Sequence, residues 1–259
     1  MEKLLFLGTA GDHIVTGKQM LSSAGIIFQS EGMQFLIDPG PGCLIRAKEN
    51  GIHMRENTAI LVTHNHINHM NDLQAVISAT THNGLDRQCV LICPQSVYDD
   101  VKEHFRDCLE RVIVVDAGKK VGINKIEIQS FKAEHTEDSL GYKFICPTYK
   151  IAFSGDTSNY EGIIDNFVDC DIVVLNVTHL EKNEGHLCAN DALEIFKEAK
   201  PSLGIITHFG SKMLAANPIN IAREIERQSS INVIAAKDGV SLNPMIFSKE
   251  MKQRTLGGY

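Results

Sequence analysis

Two strand-rich halves, each running into helix-spaced apolar residues, predict an α/β protein with two sheets packed face to face and helices outside them. Three observations carry that expectation. Short apolar runs bounded by turn residues fill the first half, a second set partly echoes them from residue 125 onward, and no Pro/Ser-rich linker separates the sets, so residues 1–259 read as one domain. A chain of 259 residues can bury a sizeable core, and 43% hydrophobic with 22% charged residues is an ordinary globular composition.

In chain order, "LLFLG" (4–8) is the first strand, "AGIIFQ" (24–29) the second and "MQFLIDPG" (33–40) the third, with a hairpin turn at "SEG" (30–32). "GTAGD" (8–12) lacks a GxGxxG or Walker pattern and reads as a tight turn. The polar, aperiodic stretch 13–23 reads as a loop over a pocket, with Lys18 placed to touch substrate. "AILVTH" (59–64) is the fourth strand; beyond it Ile67, Met70, Leu73 and Ile77 recur at helical intervals. The second half gives strands at 125–135, 141–146, 149–158 and 170–179, then a helix over 190–200 ended by Pro201. A strand at 203–210, a helix opening at Asn217 and Pro218, and a last strand at 232–236 complete the order.

The N-terminus shows no basic, long-apolar, small-residue pattern of a secretory signal, and no stretch reaches the roughly 18–20 apolar residues of a membrane span. The expectation is a cytoplasmic protein without a membrane partner. Seven scattered cysteines, mostly in strand-like runs, read as reduced core thiols; Cys89 and Cys93 have knuckle-like spacing, but no second pair follows. A formal net charge of −7 argues against an extended nucleic-acid surface and leaves a small-molecule or nucleotide-like substrate, with a homodimer compatible.

The chemistry concentrates in "HNHINH", where His64, His66 and His69 fall within six positions after an apolar run. His64, His135, Asp156 and His208 each end a predicted strand, where a rigid sheet fixes a side chain that a loop exposes. Imidazole suits zinc and similar ions, and an HxH in extended chain points both rings to one side. A carboxylate such as Asp156 bridges two ions in dinuclear hydrolases. His13, His53, His82 and His104 lack this spacing and setting.

"HNHINH", followed by "EHTEDSLGY" with His135, "SGDTS" with Asp156 and "THFG" with His208, resembles the metallo-β-lactamase fold superfamily, whose signature is HxHxDH with a later His, Asp and His. The resemblance covers nearly the whole chain, since "FLGTAGD" and "FLIDPG" look like the family's opening strands. It implies a four-layer αβ/βα sandwich and two divalent metal ions, zinc first, with manganese and iron also suited. His64, His66 and His135 would hold the first ion; Asn68, His69 and His208 would surround the second, with Asp156 bridging. Asp38, in "LIDPG", would orient a ligand imidazole. The Ser-x-Gly-Tyr after His135 is similar to ribonuclease Z and the phosphonate-pathway cyclic phosphodiesterases, and by that likeness His186 in "EGHLCANDA" would meet the phosphate or protonate the leaving oxygen. His179 competes for that role. The twenty residues between His135 and Asp156 are too few for the ribonuclease Z arm, and there is no room for an inserted β-CASP domain.

Asn68 departs from the family pattern, which asks for aspartate there. Asparagine offers a carbonyl oxygen but no charge and no proton acceptance near neutral pH. The second metal site should therefore be weaker and the proton carrier should lie elsewhere, with His186 and His179 available. Three readings stay open: an active hydrolase with a reassigned proton carrier, an enzyme working with one tightly held ion, or a metal-binding protein with little hydrolysis. The expected activity is that of a metal-dependent phosphodiesterase, with a lactone, thioester or other acyl hydrolase as the enzymatic alternative and a non-catalytic binding protein as the other.

Overall fold

The computed structural model describes residues 2–250, whose contacts group into two compact units: the chain up to Asp116 with Lys237–Leu242, and Ala117–Ala236 with the segment from Asn243. In the first unit, β1 (Lys3–Phe6), β2 (Ile26–Ser30) and β3 (Met33–Ile37) form an antiparallel meander, tightened by the hairpin that pairs Ser30 with Met33. From β3 the sheet turns parallel through β4 (Asn57–Leu61), β5 (Gln88–Cys93) and β6 (Leu109–Val114). Parallel neighbours need crossovers. Helices Cys43–Glu49, Leu73–Thr81 and Gln95–Asp100 supply them, burying Ala47, Val76, Ile77 and Val97 in one cluster with Leu36, Ile60 and Leu91.

The second unit repeats this plan. β7 (Lys120–Ile123), β8 (Ile126–Lys132), β9 (Leu140–Ile145) and β10 (Lys150–Phe153) run antiparallel, so the interval between His135 and Asp156 is the β9–β10 hairpin with its flanking turns. β11 (Ile172–His179), β13 (Leu203–Thr207) and β14 (Val233–Ala235) then add in parallel, and the two-residue β12 (Leu187–Cys188) pairs with β11. Helices Ala189–Ala199 and Pro218–Ser229 make the crossovers, the second opened by the Asn217 side chain, which accepts from Ile219 N at 3.1 Å with Pro218 at the first helical position. β15 (Ser241–Leu242) belongs to the first unit, where it pairs with β1.

The two strand-rich halves and their α/β character match expectation, but several local readings change. β4 stops at Leu61, three residues before His64. The expected helix beyond it is broken into Ile67–Met70 and Leu73–Thr81, and Ile67 is 63% exposed rather than on the buried face. The residues between β4 and that break follow the histidine loop's own geometry, so apolar spacing alone misjudged Ile67. β6, β7 and β15 went unforeseen, because their residues are partly exposed or too few to show alternation. In the stretch expected to be a loop, His13–Gly17 is a short helix whose Asp12 cap accepts from Val15 N at 2.7 Å; Lys18 is exposed at its end.

Candidate metal centre

In the first unit the site grows from the carboxyl ends of β3 and β4, where parallel α/β sheets characteristically place their ligand groups. Asp38 follows β3 directly and takes the left-handed region at φ +52°, which Asp and Asn tolerate better than most residues. That turn aims its carboxylate at the next loop. Asp38 Oδ1 accepts from Thr63 N at 2.7 Å, and Oδ2 accepts from Thr63 Oγ1 at 2.8 Å and lies 2.9 Å from His69 Nδ1. A carboxylate only accepts, so the Thr63 hydroxyl proton points to Asp38, and Thr63 Oγ1 in turn accepts from His64 Nδ1 at 3.0 Å. One aspartate thus fixes two imidazoles with Nδ1 protonated and Nε2 presenting its lone pair. The His64 ring centroid stands 4.6 Å from that of His66 and 4.2 Å from that of His69. His64 and His69 are buried, Asn68 is half-buried and His66 is exposed at the cap of the short helix. A Cβ on Gly40 would come within 2.0 Å of the Asn68 carbonyl oxygen, so glycine at that position lets the DPG turn press on the histidine loop.

In the second unit the equivalent cluster centres on Asp156, buried three residues beyond β10. Its Oδ1 accepts from Asn176 Nδ2 at 2.7 Å and lies 3.3 Å from His208 Nδ1; its Oδ2 lies 3.9 Å from His135 Nε2 and 3.7 Å from His186 Nδ1. His135 stands three residues past β8 with Nδ1 donating to the Gly185 carbonyl at 2.8 Å, which turns its Nε2 lone pair toward Asp156. His208 directly follows β13 at φ +62°, a second left-handed residue at a strand end. Ligand atoms of His135, Asp156 and His186 all lie within 4.8 Å of one another, close enough to share a cation. His179 sits at the end of β11 with its ring 5.4 Å from that of His186 and its Nε2 3.3 Å from Asn183 Nδ2.

These donor sets suit a divalent ion. They are imidazole and carboxylate groups, and four of the rings, His64, His69, His135 and His208, have Nδ1 engaged by a protein group, the arrangement that sets tautomer and orientation at histidine metal sites. Cys188, two residues from His186, is no competing thiolate: burial, and then its hydrogen bond to Asp191, push the thiol up from its ordinary range. Sequence reading named every one of these donors and missed what holds them: Thr63, Asn176, Thr178 and Gly185. A signal existed for two of them, since "VVLNVTH" puts Asn176 and Thr178 two apart, on one face of an otherwise apolar buried strand.

Comparison with known proteins defines the class. Residues 33–209 match the β-lactamase superfamily domain, and the chain belongs to that family. An uncharacterized protein of Methanocaldococcus jannaschii, MJ1374, is 27% identical over 253 residues, covering 93% of this chain and 94% of its own length. Ribonuclease Z of Methanopyrus kandleri is 24% identical over 275 residues, covering 91% of this chain and 95% of its own. Among solved structures, the metallo-β-lactamase fold protein YhfI of Bacillus subtilis has a TM-score of 0.78 at 18% identity, over 93% of this chain and 98% of YhfI. Zinc-bound PqqB of Methylobacterium extorquens has a TM-score of 0.75 at 12% identity, over 93% and 99%. The α/β fold is therefore of the metallo-β-lactamase type, with relatives on the ribonuclease Z-like branch, as the histidine motif implied. Among the described residues no helix is long and apolar enough to cross a membrane.

Proposed function

We propose that this chain is a metal-dependent phosphodiesterase acting on a small or nucleotide-like substrate, with His186 as its proton carrier. The observation that carries the reading is the position of His186, whose Nδ1 lies 3.7 Å from Asp156 Oδ2 in a cluster with His135, while residue 68 is an asparagine. The ligands are His64, His66 and His135 for one ion, and Asn68, His69 and His208 for a weaker second one, with Asp156 shared, by resemblance to the family. Divalent ions such as zinc, when bound, supply Lewis-acid polarisation of the substrate and bring the pKa of water to about 7.

The chain's own residues supply orientation and proton transfer. Asp38, through Thr63 and directly, holds His64 and His69 in the ligand tautomer, and the Gly185 carbonyl does the same for His135. His186 is half-buried and lines a cleft of about 290 Å³ together with Ser158, Asn159, Lys182, Asn183, Glu184 and Asp191. That volume is at the small end of ligand pockets, and Lys182 brings a positive charge to it beside the carboxylates of Glu184 and Asp191. At its Nε2, His186 donates a proton to the departing oxygen, the task an asparagine cannot perform. The ribonuclease Z of M. kandleri lends support to phosphodiester chemistry.

The deciding experiment is metal content per chain on protein purified without chelators, with hydrolysis of bis(p-nitrophenyl) phosphate with and without added zinc or manganese. Bound metal with metal-dependent turnover is expected, and both are lost in His66→Ala and Asp156→Ala. Hydrolysis of lactones or thioesters but not phosphodiesters would move the assignment to an acyl hydrolase, and bound metal without turnover of either would make the chain a binding protein.

A further inference from the structure

The geometry points to Thr178 as a positioning residue that sets His208 and His186 in opposite tautomers, one as a metal ligand and the other as a proton donor. Thr178 is buried on β11, and its Oγ1 lies 3.0 Å from His208 Nδ1 and 3.3 Å from His186 Nδ1. A hydroxyl has one proton to give. It can therefore donate to only one of the two Nδ1 atoms, so a hydrogen bond to each requires at least one Nδ1 to carry hydrogen and donate to the oxygen.

Asp156 decides which. Its Oδ1, steadied by the Asn176 amide at 2.7 Å, lies 3.3 Å from His208 Nδ1, whereas its Oδ2 lies 3.7 Å from His186 Nδ1. The carboxylate can only accept, so His208 Nδ1 keeps the proton, shared between Asp156 and Thr178, and His208 Nε2 offers a lone pair. The Thr178 hydroxyl then turns to His186 Nδ1, which accepts, and the remaining proton of neutral His186 sits on Nε2. A donor at Nε2 is what protonation of a leaving oxygen requires. That last role rests on the phosphodiesterase reading; the opposed tautomers do not.

The test is a long-range proton–nitrogen correlation on the full chain labelled with 15N-histidine, as purified and after chelation, at a pH where imidazoles are neutral. His186→Gln and His208→Gln variants assign the two rings. We expect His208 as the Nδ1–H form and His186 as the Nε2–H form in wild type, loss of the His186 preference in Thr178→Val, and its return in Thr178→Ser. His186 carrying Nδ1–H in wild type overturns the inference, as does a His186 pattern unchanged in Thr178→Val. Should the valine variant not fold, the wild-type and serine spectra still decide.

Activity provides a separate arm. If phosphodiesters are turned over, Thr178→Val should cut kcat for a diester with an alkyl leaving group by up to about 10²-fold. Bis(p-nitrophenyl) phosphate, whose leaving group departs as a stabilised anion, should change little. Equal loss on both substrates would mark Thr178 as merely structural. Absence of all turnover would count against the phosphodiesterase reading and leave the tautomer assignment to the spectra.

Discussion

Asp38 shows what a single residue does here. A turn-forming aspartate before Pro39 would need no partners beyond its own loop, yet its two oxygens serve Thr63 and His69, and through Thr63 reach His64. Asp38→Asn keeps a side chain at ease in the left-handed backbone but replaces an acceptor by a donor. It should weaken metal binding by about 10- to 100-fold, the usual cost of losing a group that orients a ligand, measured by competition with a chelating dye. Gly185 tests the second unit in the same way. Its φ is +75° and a Cβ there would lie 2.9 Å from His135 Nδ1, so Gly185→Ala should both strain the backbone and push His135 from its carbonyl partner. Lower metal content with a lower Tm is the expected result. Asn68→Asp should raise affinity for the second ion; metal titration showing no change would remove residue 68 from the ligand set. Asn68 was legible as a departure from the family pattern. Its supporting backbone was not, since nothing in "DPGPG" announces that Gly40 packs on the Asn68 carbonyl.

At the scale of elements, the strands bearing site residues are held by their helices. Helix Ala189–Ala199 lays Phe196 on Gly204 of β13 so closely that a Cβ on Gly204 would come within 2.8 Å of the ring. β13 ends at Thr207, and His208 follows. Gly204→Ala should overpack this contact and cost about 1–3 kcal/mol. The Tm should fall by roughly 2–4 °C per kcal/mol for a protein of this size, read by thermal melts. Long apolar runs such as that of β11 were plain in the sequence, and so was the helix opened by Asn217 and Pro218. β6 and β7 were not, because a strand that leaves alternate or successive residues half-exposed carries no clear period. The histidine loop misled for a related reason: Ile67 fits a helical stripe yet faces solvent, since hydrogen bonds of the loop, and not apolar burial, set its path.

For the molecule as a whole, the seven cysteines are all free and buried. Burial pushes the Cys89 thiol up to about 12 and Cys170 to about 11, well above the ordinary thiol value of about 8.5. The folded state then holds these protons more tightly than the unfolded one. Their stabilising contribution is complete at neutral pH and is lost as pH rises from about 8.5 toward 11 and 12. Denaturant midpoints should fall through that window, and less steeply in a Cys89→Ala, Cys170→Ala variant. Thiol reagents should react with the native protein only as fast as it opens.

The sequence by itself determined the class of chain and singled out a His/Asp cluster that could hold a metal. An HxHxNH run, a later His, Asp and His in the loops that follow strands, and the asparagine among them are readable because ligand chemistry limits which side chains can serve. What only the tertiary structure decided is how each imidazole is held: the Asp38–Thr63 pair beneath His64 and His69, the Gly185 carbonyl on His135, and Thr178 between His186 and His208. Those partners are up to fifty residues apart in the chain, and a threonine or a backbone carbonyl becomes functional only through the atom that folding brings within hydrogen-bond reach.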